Sequence, residues 1–137
     1  MASLQIEDSQ LIGAKEKVVI ITGGASGIGA AAARLFHSLG AKVVVGDLNE
    51  KLGNSLAAEL GSNLVFQRCD VTQWSSLYDL FEAANSNFGR IDIVLANAGV
   101  PEIEEIFEDK IDKATGKLLE PKYIVLDIDL KAIFSSE

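Results

Sequence analysis

Short aliphatic runs alternate with helical patterns along the first hundred residues. Val18-Val19-Ile20-Ile21 is a β-branched run that ends in Thr-Gly-Gly, the appearance of a strand buried on both faces of a parallel sheet. Ile28 to Leu39 carries Ala30 to Ala33, Leu35, Phe36 and Leu39 at helical spacing, with Gly40 as the stop. The unit then repeats. Lys42 to Gly46 predicts a second strand, Glu50 to Leu60 a second helix closed by Gly61, and Leu64 to Gln67 a third strand. Trp74, Leu77, Phe81, Ala84 and Phe88 keep helical spacing up to Gly89, and Ile91 to Ala96 predicts a fourth strand. Such alternation with short loops predicts a parallel sheet covered by helices, joined by right-handed crossovers.

The ends of the chain differ in character. Residues 1–16 show neither period and are expected to form an extended lead-in to a single domain over residues 17–137. Val100 to Glu120 is rich in Glu, Asp and Lys and predicts a surface excursion. Pro121 suits the first turn of a helix, and Ile124, Val125, Ile128, Leu130, Ile133 and Phe134 would give that helix a broad apolar stripe.

Composition narrows the class. With 137 residues, 48% of them hydrophobic, the chain has enough apolar surface for one compact soluble domain and is unlike disordered or collagen-like sequences. The 12 basic and 20 acidic side chains give a net charge of −8, which argues against nucleic acid as a partner. No run approaches the ~20 apolar residues of a membrane span, the N-terminal stretch lacks the apolar core of a secretory signal, and Cys69 has no partner for an internal disulfide. The cytoplasm is the expected compartment.

Candidate chemistry gathers where strands end. Thr22-Gly23-Gly24-Ala25-Ser26-Gly27-Ile28-Gly29 lies between the first strand and the first helix. Glycines there allow a tight turn and let a pyrophosphate approach the backbone, while the helix N-terminus offers free N–H groups. A glycine turn can also be purely structural, but this one sits in the context that the motif demands. Asp47 ends the second strand, 24 positions after Gly23. An acid there is placed to accept from adenosine ribose hydroxyls and to repel a 2′-phosphate, although a solvated turn aspartate reads the same way. With no Arg or Lys among residues 23–29 or 46–49, NAD is expected rather than NADP.

These residues resemble the short-chain dehydrogenases/reductases. The resemblance rests on Thr22-Gly23-x-x-x-Gly27-x-Gly29, on Asp70-Val71 after the third strand and on Asn97-Ala98-Gly99 after the fourth, and it covers Lys17 to about Phe134. The nearest flavour is the NAD-preferring alcohol or hydroxyprostaglandin type. It implies a doubly wound Rossmann fold with strand order 3-2-1-4, shorter than the family's usual length. It also implies that Gly23, Ser26, Ile28 and Asp47 line the cofactor, that Asp70 and Val71 meet the adenine, and that Asn97 fixes the end of the fourth strand near the ribose. For Asp70 and Asn97, local capping of a turn is the plainer alternative.

The departures bear on catalysis. The family's proton relay uses a Tyr four positions before a Lys, but here Tyr78 is followed by Glu82 and Tyr123 by Asp127. Neither Tyr has a cation on its helical face to lower its pKa, and Ser135 and Ser136 do not match the catalytic Ser. The family's water-holding Asn falls on Asp129, which has no amide to donate. Asp129 is therefore a candidate acid/base, with an ordinary exposed helix acid as the alternative. The acidic group from Glu102 to Asp112 lacks EF-hand spacing, His37 and Cys69 lack zinc spacing, and no metal is expected. Three readings of different class follow: the NAD-binding portion of a dehydrogenase acting on an alcohol or ketone, a non-catalytic nucleotide- or partner-binding relative, and a repurposed scaffold catalysing a cofactor-independent isomerisation or cyclisation. A small-molecule ligand and a homo-oligomer, most simply a two-fold dimer through the last helix and the edge of the fourth strand, are the expected partners.

Overall fold

The computed structural model describes residues 12–100, 111–112, 114–117 and 128. Among them the chain runs β1 (Val18–Thr22), α1 (Gly27–Ser38), β2 (Lys42–Asp47), α2 (Glu50–Leu60), β3 (Leu64–Arg68), α3 (Trp74–Phe88) and β4 (Ile93–Ala96). The four strands are all parallel and form one sheet in the order β3-β2-β1-β4. This is the α/β Rossmann-type arrangement expected from the sequence. The sheet order reverses at β1, so the carboxyl ends of β1 and β4 flank the crevice where such sheets take ligands.

The strand pleat sorts the core into two layers. Val19, Ile21, Val43 and Val45 face Ala30 and Ala33 of α1 and Leu56 of α2. Val18, Ile20 and Val44, one residue out of phase, face Leu77, Leu80 and Ala84 of α3. Both faces of β1 are therefore covered, which is why its sequence is an unbroken apolar run. Glycine sets the distance on the first face: a Cβ on Gly53 of α2 would fall 2.1 Å from the Phe66 ring of β3. Arg34 of α1 also reaches Glu59 of α2 with two bonds of 2.8 and 2.7 Å. That pair is exposed and contributes little to stability.

Element ends depart from the sequence reading in instructive ways. Helix α1 begins at Gly27 and ends at Ser38, with Leu39 as C-cap and Gly40 just beyond it at φ +82. Strand β4 starts at Ile93 rather than Ile91. At its start Asp92 replaces a strand residue. Its backbone N–H donates to Val18 O at 2.9 Å, and its carboxylate Oδ2 accepts from Val18 N at 2.9 Å. The carboxylate is only 10% exposed and is flanked by Lys17 at 3.4 Å and by Arg90. Of the N-terminal lead-in, residues 12–16 are described, and Ile12–Ala14 form a short 3-10 turn rather than extended chain, with Glu16 N donating to Gly40 O at 2.9 Å. The Pro121 helix apart from Ile128, and Asp129, lie outside the described residues, and of the acidic excursion Val100, residues 111–112 and residues 114–117 are described, with Gly116 N donating to Asp112 O at 2.7 Å. None of the described helices is long and apolar enough to cross a membrane.

The Val18 backbone N–H, with Arg90 and Lys17 adding to it, holds the Asp92 carboxyl below its ordinary value of 3.8. A carboxylate whose pKa is lowered by folding contributes stability above its unfolded value and loses it as pH falls through the folded one. Asp92→Asn should therefore lower the thermal midpoint at pH 7, and its difference from the unmodified protein should shrink as pH falls below 3.8. A gap of the same size at pH 7 and pH 3 would assign the effect to shape rather than charge.

Candidate functional site

At the carboxyl edge of the sheet lies a cleft of about 540 Å³, bounded by the β1–α1 turn, the end of β2, the β3–α3 turn and the segment after β4. Its size falls in the ordinary range for small-molecule and cofactor sites. The floor is the glycine turn. Gly23 has φ +62, and a Cβ there would lie 2.7 Å from Ala98 Cα, so this glycine lets the segment after β4 pack against the end of β1. Gly27 has φ +52, and a Cβ there would meet nothing within 4 Å. Its backbone is open on the cleft side, as close approach of a phosphate needs.

Helix α1 begins here with its donors available. Ser26 is the N-cap, yet its side chain makes no capping hydrogen bond. The first-turn N–H groups, which have no partner within the helix, are therefore not taken by the cap. Ile28, one position into the helix, is 82% exposed and lines the cleft. Gly29 is the one sequence-predicted cofactor residue that does not reach the cleft wall. It packs beneath the turn instead, where a Cβ would lie 2.2 Å from Gly23 O and 2.6 Å from Asn97 Nδ2.

Asp47 closes the cleft at the end of β2. Its Oδ2 accepts from Ala25 N at 3.0 Å and its Oδ1 from Asn49 N at 2.9 Å. Both oxygens are thus oriented by backbone donors, and each keeps a lone pair for a further partner. Leu48 stands beside it on the wall. The register places Arg68 opposite Asp47 on β3, and its Nε lies 3.3 Å from Glu50. That cation comes to Asp47 from the adjacent strand and not from its neighbours in sequence.

Asp70 and Val71 line the wall after β3. Thr72 donates to Asp70 Oδ1 from its hydroxyl at 2.7 Å and from its backbone N–H at 3.0 Å, and these bonds hold the Asp70 carboxyl below the ordinary carboxylate range. Asn97 bridges the strand ends: its Nδ2 donates to Thr22 O at 3.2 Å and to Gly23 O at 3.0 Å. Thr22 Oγ1 accepts in return from Asn97 N and Ala98 N, both at 3.2 Å. Asn97 therefore lines the cleft and ties its two sides together. Ala98 and Gly99 continue the wall.

The structure adds Leu48, Cys69, Val100 and Ile128 to the predicted wall. Ile128 lies far along the chain, and no local pattern signals that it comes to the cleft. Burial pushes the Cys69 thiol up to about 11, which keeps it protonated at neutral pH. The donor set fits a dinucleotide: backbone N–H groups and an open glycine for a pyrophosphate, a fixed carboxylate for ribose hydroxyls, and apolar walls for a base.

The profile of the short chain dehydrogenase family matches residues 17–132. A short-chain dehydrogenase/reductase of Acremonium egyptiacum is 44% identical over 133 residues, which are 97% of this chain and 43% of the relative. A (+)-borneol dehydrogenase of Salvia officinalis is 48% identical over 86 residues, 63% of this chain and 33% of the relative. Among solved structures, a 3-ketoacyl-(acyl-carrier-protein) reductase from Brucella melitensis, crystallised with NADH, superposes with a TM-score of 0.73 at 27% identity. That match covers 90% of this chain and 48% of the reductase. The chain thus spans less than half the length of each of these proteins. From its strand order, its glycine turn and these matches, the chain belongs to the short-chain dehydrogenase/reductase family.

Proposed function

We propose that this chain is the NAD-binding portion of an oxidoreductase acting on an alcohol or ketone. The observation that carries the reading is Asp47: a carboxylate at the edge of the cleft, fixed by Ala25 N and Asn49 N, with no Lys or Arg among the described residues of the wall. Such a group accepts from the ribose hydroxyls and repels a 2′-phosphate. When bound, the cofactor supplies or accepts a hydride. The chain's own groups hold it: the α1 N-terminus and Gly27 at the pyrophosphate, Asp47 at the ribose, and Asp70 and Val71 at the adenine. Asn97 keeps the floor in place.

Calorimetry with NADH and NADPH tests this. NADH should bind and NADPH should bind more weakly. Asp47→Ala should weaken NADH by ~1.5–3 kcal/mol, as expected for a hydrogen bond to a charged acceptor, and narrow the gap to NADPH. No NADH binding at millimolar concentration, or a preference for NADPH, would sink the proposal.

A further inference from the structure

We propose that Ser76, which is not part of the cleft wall, is a positioning residue for the adenosine end of the cleft: its hydroxyl fixes the peptide that carries Asp70. This rests on the NAD-binding reading above and assigns a role to α3 in that site.

The chain leaves β3 at Arg68 and enters α3 at Trp74, and of the five residues between, the first three, Cys69, Asp70 and Val71, lie on the cleft wall. The β2–β3 pairing ends with Cys69 N donating to Asp47 O at 3.0 Å. The next donor, Asp70 N, has no strand left to meet. Ser76 Oγ accepts from it at 2.9 Å. A hydroxyl from the first turn of α3 thus stands in for the missing strand and extends the order of the sheet by one residue, to the residue that bears the carboxylate.

Other bonds brace the same turn without that hydroxyl. Gln73 N donates to Asp70 O at 3.0 Å, and Cys69 Sγ donates to the backbone carbonyl of Ser76 at 3.6 Å. Thr72 engages only Oδ1 of the Asp70 carboxylate, so Oδ2 keeps its acceptor capacity for a ligand. Thr72 therefore orients the carboxylate, while Ser76 orients the backbone beneath it. Removing the Ser76 hydroxyl leaves the other two braces in place, and Ala is a better helix former than Ser. The fold should persist while the Asp70 peptide loosens.

The experiment uses the full chain and NADH, with quenching of Trp74, the single tryptophan, as the readout alongside thermal midpoints. Ser76→Ala should weaken NADH roughly 3–10-fold, the value of one ordinary hydrogen bond, with little change in midpoint. Ser76→Thr, which restores a hydroxyl, should recover the affinity. Ala84→Gly, at a buried site further along α3, should lower the midpoint and leave NADH affinity alone. If Ser76→Ala binds NADH like the unmodified chain, or if Ala84→Gly loses as much affinity, the role of Ser76 is overturned while the NAD-binding reading stands. If the unmodified chain does not bind NADH, both are overturned.

Discussion

Gly29→Ala is expected to destabilise the protein and to abolish most of its NADH affinity. In an exposed helix this exchange would stabilise by ~1 kcal/mol, because Ala restricts the unfolded chain and favours the helix. Here the sign reverses. The added Cβ would lie 2.2 Å from Gly23 O, 2.6 Å from Asn97 Nδ2 and 2.8 Å from Gly24 Cα. Two of those three atoms are backbone, and the third is the amide that ties β1 to the segment after β4. No side chain can swing away to make room, so α1 must move off the turn or the turn must open. Overpacking of this kind costs about 3 kcal/mol at the upper end of the usual range. Either movement also misplaces the donors at the head of α1, and NADH affinity should fall on the order of tenfold or more. Thermal unfolding and NADH titration of the variant check both parts. A midpoint at or above that of the unmodified protein would show that the close contact relaxes freely.

Leu80→Ala should cost about as much by the opposite route. Leu80 is fully buried in α3, in the layer formed with Val18, Ile20, Val44 and Leu77. Removing a buried leucine loses its transfer free energy and leaves a cavity, together roughly 2–5 kcal/mol. At the size of this chain that is about 6–15 °C in midpoint. Leu80→Met, which keeps the volume, should cost less than ~1.5 kcal/mol. The site offers an internal control. A Cβ on Gly46 of β2 would lie 2.7 Å from Leu80 Cδ2 and 3.1 Å from Cδ1, so Gly46→Ala clashes with the native leucine and much less with an alanine at 80. Combined, the two exchanges should cost less than the sum of their separate effects. Strict additivity would mean that Leu80 does not fill the space over Gly46.

The strands and helices were legible because their periods are strong. Val18 to Ile21 reads as a doubly covered strand, and the two core layers divide those residues alternately. The start of β4 was not legible, because Asp92 looks like an alternating strand position while its side chain does the work of a strand carbonyl toward Val18. The positions of the cleft residues followed from their places at strand ends, with Gly29 the exception. Its spacing marks it as part of the turn, but whether a glycine faces ligand or backbone depends on what packs beneath it. Arg68 beside Asp47, Ser76 beneath Asp70 and Ile128 on the wall are brought in by strand pairing, by helix entry and by a distant segment. One-dimensional pattern carries no signal for any of them.

The fastenings at the two ends of β4 have a mechanical consequence. A strand of four residues at the margin of the described sheet would ordinarily fray from its ends, since terminal backbone bonds open with little free energy. Here Asp92 secures the first end to Val18, and Asn97 secures the last to Thr22 and Gly23. The strand is a beam pinned at both supports. It must open as a unit, taking the β1 turn with it, so its amide protons should exchange together rather than in order of distance from an end. A ligand that braces the turn would then slow the exchange of the whole strand, including residues at the far end of the sheet from the cleft.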